Sequence, residues 1–298
     1  MNESLGLTHK RKTKRLEKAI ELLFVACALL TVISVALICF YIFYEGVPPI
    51  LKFGVSEFIF GTQWKPTSAE PSFGIFPMLV ASVIGMLGAI VVGVPIGIFT
   101  AVMLAEIAPR KLATVLRSCI ELLAGTPSVV YGFFGLTVIV PFIRVHFNSP
   151  TGTGLLAMII ILAVMVLPTI INISETSLRA VPVEFKEGSL ALGASKIETI
   201  FKVLIPAAKS GILSSVVLGM GRAVGETMAV IMVCGNIPNM PNSILSVVSP
   251  MTATIAKDMS YAAPTHRSAL FGIGVVLFVF ILALNLILNL LVNRSADK

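Results

Sequence analysis

From Ile20 to Tyr44 the chain runs for 25 residues with a single charged side chain, Glu21. As a helix this run is about 37 Å long, enough to cross a hydrocarbon core of about 30 Å. Five further apolar runs follow, at 76–105, 112–143, 154–173, 211–235 and 268–292. Lipid offers the backbone no hydrogen bonds, so runs of this length are accommodated as helices. Only 12% of the 298 residues are charged, against about 25% in an ordinary soluble domain. That is too few to cover a water-soluble globule. A disordered chain, a collagen, a disulfide scaffold and a typical soluble enzyme are therefore excluded. The expected fold class is an all-α membrane protein with six transmembrane helices.

Charge then orients the spans. A basic N-terminus (1–19) precedes the first transmembrane helix (20–44). That helix is too long for a signal peptide, whose apolar region is about 7–15 residues. An extracytoplasmic loop (45–75) leads to a transmembrane core (76–292). With six spans both termini share one side. That side, with the 106–117 and 174–210 loops, collects sixteen of the 22 Lys and Arg residues. Five fall on the opposite side, and Arg222 alone lies inside a span. Cytoplasmic loops accumulate Lys and Arg, so both termini are expected in the cytoplasm, in contact with membrane lipid on all spans. The net charge of +7 records this topology, and no nucleic-acid partner is expected. Cys27, Cys39, Cys119 and Cys234 form no CxxC and lie in or beside apolar runs. They read as small apolar packers, with no metal site or disulfide framework.

Several spans carry irregularities. Ala89, Gly93, Gly97 and Ala101 recur at four-residue spacing around Pro95, a small-residue face on which another helix can close. The third run contains Glu121-Leu-Leu-Ala-Gly-Thr-Pro-Ser128. Pro127 removes a backbone donor and Gly125 weakens the helix, so a kink or break is expected there. Freed backbone groups must be buried in protein or line a polar cavity. Thr126, Ser128 and Glu121 are accordingly candidates for the solute path.

The fifth run places Arg222 and Glu226 on either side of its midpoint. A central Arg costs about 2.5–3.5 kcal/mol on insertion scales and must be offset by pairing or water. The i, i+4 spacing puts both side chains on one helix face, where they can pair. Gly221 and Gly225 form GxxxG beside them, and Ser215, Gly219 and Ala223 form a second small-residue line. A structural ion pair clamping two helices is one reading; an anion site or gate is the other, since a guanidinium suits an oxyanion. The sequence contains no GxxxxGK[ST], so no P-loop for ATP.

The 174–210 loop is amphipathic and reads as two short helices near the membrane surface. Its stretch Glu187-Gly-Ser-Leu-Ala-Leu-Gly193, nine residues, then Val203-Leu-Ile-Pro206 resembles the permease signature of ABC importers, E-A-A-x3-G-x9-I-x-L-P. Gly188 and Ser189 replace the two alanines, and Val203 and Ile205 the apolar pair. Ile120–Gly132 and Gly221–Val230 are in turn similar to the permeases of phosphate-specific ABC importers. The resemblance spans roughly residues 60–292. It implies a type I ABC importer permease fold with cytoplasmic coupling helices, in the cytoplasmic (inner) membrane of a bacterium. It also implies that Glu187, Gly188, Ser189, Gly193 and Pro206 dock an ATPase, and that Arg222 and Glu226 serve transport. The implied partners are a homologous permease, two copies of an ATPase subunit and an extracytoplasmic phosphate-binding protein. This chain would bind no cofactor; ATP and Mg would be used by the ATPase, and no reaction would be catalysed here. An ABC permease for sulfate or molybdate, a secondary transporter or channel, and a membrane scaffold or sensor are the alternatives.

Overall fold

The computed structural model describes the backbone from Asn2 to Ala296 and side chains from Glu17 to Leu290 apart from Ala19. The side chains of the basic segment Lys10–Arg15, and those of Arg294 and Lys298, lie outside the described residues. Helix α1 (Asn2–Phe53) is far longer than the run 20–44 and continues through Pro48 and Pro49. Proline normally breaks a helix interior. Here tertiary packing holds the outer end: Phe43 stacks edge-on against Phe278 at 5.6 Å, and Tyr41 against Phe271 at 5.5 Å. At Gly46 an added Cβ would sit 2.5 Å from the Phe271 carbonyl oxygen, so only glycine admits this approach. Further inward, Leu22, Phe24, Leu30 and Val32 are exposed, as lipid-facing side chains would be.

The stretch 45–75 is therefore not a plain loop. Its remainder forms α2 (Val55–Phe60) and a hairpin of β1 (Trp64–Lys65) and β2 (Ser72–Phe73), with Trp64 opposite Phe73. Phe58, Trp64 and Phe73 bury against the outer part of the bundle.

Helix α3 (Phe76–Val102) continues into a π-helical turn, Met103–Ile107. It packs along α7 (Leu155–Arg179). The small residues explain the closeness: Cβ atoms added at Gly93 and Gly97 would lie 2.9 Å from Val166 and 2.6 Å from Ile170. Ala89 and Ala101 are fully buried. Interlocking of small and branched side chains makes this seam the rigid centre of the molecule.

The third apolar run is not one span. It divides into α4 (Arg110–Gly125), α5 (Ser128–Phe134), a π-helical turn (Gly135–Ile139) and α6 (Val140–His146). The part long and apolar enough to cross is Ser128–His146. Helix α4 carries Arg110, Lys111, Arg117 and Glu121 and buries only Ala113 and Ile120, so its charges keep it out of the apolar count.

Helix α7 passes Ile173 to reach Arg179. The chain then forms α8 (Val183–Ala191), α9 (Lys196–Thr199), a π-helical turn (Ile200–Leu204) and α10 (Ile205–Ala207). A bend of 69° at Ala208 leads into α11 (Lys209–Gly225). The fifth run also breaks, giving a separate α12 (Met228–Val233). Helices α13 (Met251–Asp258) and α14 (Pro264–Ala296) complete the chain. Among the described residues five helices are long and apolar enough to cross a membrane, or six if the bent pair counts as one span.

Candidate translocation site

Helix α11 stops at Gly225, and Glu226 is extended (φ −69°, ψ 131°). Three glycines in its last seven residues, each about 1 kcal/mol poorer than alanine in a helix, make this an easy place to stop. The consequence corrects the sequence expectation. Arg222 and Glu226 do not share a helix face, and no ion pair joins them among the described residues. Each charge instead meets a helix end of opposite sign. Arg222 lies in the last turn of α11, where free carbonyls favour a cation. The Glu226 carboxylate accepts a hydrogen bond from the Ala229 N–H at the start of α12, at 3.3 Å. The Arg222 guanidinium donates to Thr169 Oγ1 on α7 at 3.4 Å, a long and weak bond. Arg222 and Glu226 are both half-buried.

The α4–α5 break has matching chemistry. Thr126 and Pro127 are extended. The carbonyls left free at the end of α4 are taken up locally: Thr126 Oγ1 donates to Leu122 O at 2.8 Å and Tyr131 Oη to Leu123 O at 2.7 Å. This satisfies backbone groups that lipid could not. Helices α5 and α12, each starting just after its break, pack together where Gly132 meets Ala229 and Met232. Ala229, whose N–H meets the Glu226 carboxylate, lies against Gly132, so the two breaks are neighbours. Thr126 and Ser128 are half-buried and Glu121 is exposed; no hydrogen bond or ion pair joins any of them to Arg222 or Glu226 among the described residues.

Gly221 and Gly225 meet no neighbouring atom within 4 Å, so the GxxxG face makes no close approach within this chain. The other small-residue line does. Ser215 and Ser174 hydroxyls are 2.9 Å apart, Gly219 faces Ile170, and Ala223 is buried. Helix α11 is thereby fastened to α7, fixing Arg222 beside Thr169.

Between α8 and α9 Gly193 turns the chain with φ +86°. Ser195 and Glu198 form a capping box at the start of α9. Ser189 and Thr199 hydroxyls, 3.0 Å apart, close the pair. Glu187, Gly188 and Pro206 are exposed. Around them Phe185, Leu192, Ile197 and Phe201 present apolar side chains, Leu192 at 91% exposure.

Sequence reasoning missed three features. The outer stretch 236–267 returns into the bundle: Met251 N–H donates to Ser82 Oγ at 3.1 Å, and Thr252 Oγ1 to the Glu226 carbonyl at 3.0 Å. Thr252 thus pins the α11–α12 break, and with Ser82, Pro250 and Glu226 it lines a small cavity. The second is Thr169. The third is Glu175, buried near the C-terminal end of α7 between Arg117 and Arg179. An acid two residues past an apolar run was the available signal for it. The cysteines also divide: Cys234 is buried and Cys39 half-buried, while Cys27 and Cys119 are exposed.

Broken helices meeting inside a bundle, with Arg222 and Glu226 at one break and an exposed pair of short helices after α7, define a multi-pass membrane permease. The chain belongs to the family of binding-protein-dependent transport system inner membrane components, whose family model matches residues 93–297. It is 38% identical over 299 residues to the probable ABC transporter permease protein YqgH of Bacillus subtilis, covering 99% of this chain and 97% of that one. It is 34% identical over 293 residues to the phosphate transport system permease protein PstC of Xylella fastidiosa, covering 92% and 89%. A chain of the crystal structure of a bacterial alginate ABC transporter, in complex with alginate pentasaccharide-bound periplasmic protein, matches with a TM-score of 0.66. That likeness covers 91% of this chain and 94% of that one at 14% identity, a likeness of fold. The fold is that of a type I ABC importer permease, and the chain is a transport subunit rather than an enzyme.

Proposed function

We propose that this chain is the permease subunit of an ATP-driven importer of inorganic phosphate, forming half of the path with a homologous permease. One observation carries the reading. Arg222, half-buried at the end of α11, forms no ion pair with a carboxylate among the described residues and is tied only loosely to Thr169. Its planar fork matches a phosphate oxygen pair. The relatives named as phosphate transport permeases support the choice of anion. Glu226, held at the start of α12, limits how tightly the anion is retained, so it can leave.

One of the two ATPase copies docks on the α8–α9 surface, through Glu187, Gly188, Ser189, Gly193 and Pro206 and the apolar side chains around them, and the other docks on the homologous permease. ATP and Mg are used there and not on this chain. An extracytoplasmic phosphate-binding protein delivers the anion. Both termini lie in the cytoplasm and the membrane is the bacterial inner membrane. ATP binding closes the ATPases and biases the bundle between two states open to opposite sides; no bond to phosphate is made or broken.

The test is reconstitution of the full complex in proteoliposomes, following radiolabelled phosphate. Uptake is expected to require both ATP and the binding protein, and to resist excess sulfate and molybdate. Competition by either ion would reassign the cargo. Phosphate flux through this chain without an ATPase would make it a channel or secondary transporter.

A further inference from the structure

Helix α8 buries no side chain, and α4 buries two. Both are joined to the rigid α3–α7 seam by charged side chains. On α8, Lys186 forms a close ion pair with Glu106, whose side chain is 11% exposed, in the π-helical turn ending α3. In the same turn the Leu104 carbonyl accepts a hydrogen bond from Arg179 Nη2 at 2.8 Å. Arg179 Nε donates to Glu175 Oε1 at 2.9 Å, and from α4 Arg117 Nε donates to the same oxygen at 2.8 Å. The Glu175 side chain is 7% exposed. At the far end of α4, the Leu123 carbonyl holds the hydroxyl of Tyr131 on α5, the helix that packs against α12 just past Arg222 and Glu226. The polar ties thus run without a gap from α8 through the ends of α3 and α7 to α4 and its break.

Apolar packing also joins this route: Leu104, Ala113, Ile120 and Ile171 cluster where α4 meets the ends of α3 and α7. A displacement of α8 pulls on Glu106 and the 103–107 turn, and that turn bears on Arg179. Glu175 carries the charged link to α4, because it accepts from a guanidinium on each side. A neutral residue would hold neither Arg as firmly, since it loses the coulombic attraction that adds to each hydrogen bond.

We propose that Glu175 is a positioning residue for transport: bridging Arg179 and Arg117, it transmits movement of the docking helix α8 to the α4–α5 break, the neighbour of the α11–α12 break. This rests on the reading of α8–α9 as the ATPase-docking surface. Contiguity alone is not coupling, so the test measures coupling. In proteoliposomes holding the complete complex, phosphate uptake and ATP hydrolysis are followed together. For Glu175→Gln, uptake per ATP hydrolysed should fall about tenfold or more, with hydrolysis within about threefold of wild type. Equal loss of both activities, or retention of both, overturns the proposal.

A second pair of variants guards against misfolding. Glu106→Lys should lower the same ratio, and adding Lys186→Glu should restore it by remaking the pair reversed. If the double variant stays uncoupled, the proposal fails. A wild-type complex that imports no phosphate would instead sink the functional reading, so the two failures are distinct.

Discussion

Replacing Arg222 by Gln removes one charge while keeping similar length and hydrogen-bonding capacity. Among the described residues Arg222 has no carboxylate partner, so on the proposed reading its full charge is available to the anion. An anion about 4 Å away, at an effective dielectric of about 20, is attracted by about 4 kcal/mol. If the transition state for passage retains that attraction, its loss slows uptake by about a thousandfold, at about 1.4 kcal/mol per decade. Water in the path and salt screen the interaction, so about a hundredfold is the smallest loss the reasoning tolerates. Arg222→Lys keeps the charge and loses the fork, for an expected loss of about tenfold. Thr169→Val removes only the long 3.4 Å bond and should cost less than about tenfold. The unpartnered charge also predicts the stability effect. A central Arg is expensive to insert, so Arg222→Gln should assemble and resist heat at least as well as wild type. The assay is the initial rate of ATP-driven phosphate uptake in proteoliposomes matched for assembled complex. Uptake by Arg222→Gln within about threefold of wild type would refute the argument. So would equal loss in the Lys and Gln variants, because charge would then not be the operative property.

Three further outcomes follow from local geometry. Gly193 has φ +86° but open space around its Cα. Gly193→Val should therefore lower ATPase co-purification through backbone strain of about 1–2 kcal/mol, and Gly193→Asn should retain most of it; equal behaviour would exclude the turn as the cause. Gly97→Val drives Cβ to 2.6 Å from Ile170 Cγ2 and should destabilise the chain by about 1–3 kcal/mol in detergent unfolding. Adding Ile170→Ala should recover part of this, whereas Ile170→Val, which keeps Cγ2, should not. On the outer side the Tyr261 hydroxyl donates to Asp258 Oδ1 at 2.7 Å, which pushes its pKa up to about 12. Its stabilisation is complete below the ordinary tyrosine pKa of about 10 and lost as pH rises through about 12. Tyr261→Phe should flatten the decline of unfolding midpoint over that window; an unchanged slope would show the bond to be inert.

The helical membrane class, the small-residue face on α3, the break at Pro127 and the turn at Gly193 were all legible in the sequence. Each rests on a local rule: lipid forbids unsatisfied backbone, small side chains permit close approach, and proline and glycine restrict or free the chain at their own positions. The Arg222–Glu226 relation was not legible. Regular i, i+4 spacing holds only while the helix continues. Whether α11 continues past Gly225 depends on partners from distant segments, Thr252 holding the Glu226 carbonyl and α5 receiving α12.

The same reasoning separates the rest. Charge density showed that α4 and the cytoplasmic loop carry unusual polarity, yet not which charges meet. Arg117 and Glu175 are 58 residues apart, Lys186 and Glu106 are 80 apart, and the helices between them set their meeting. Sequence alone determined the solvent in which this chain folds and where its helices yield, because burial in lipid and backbone freedom act residue by residue. Tertiary structure decided where α1 ends, which helix faces touch and which charges remain unpaired, because those depend on atoms brought together only when the bundle closes.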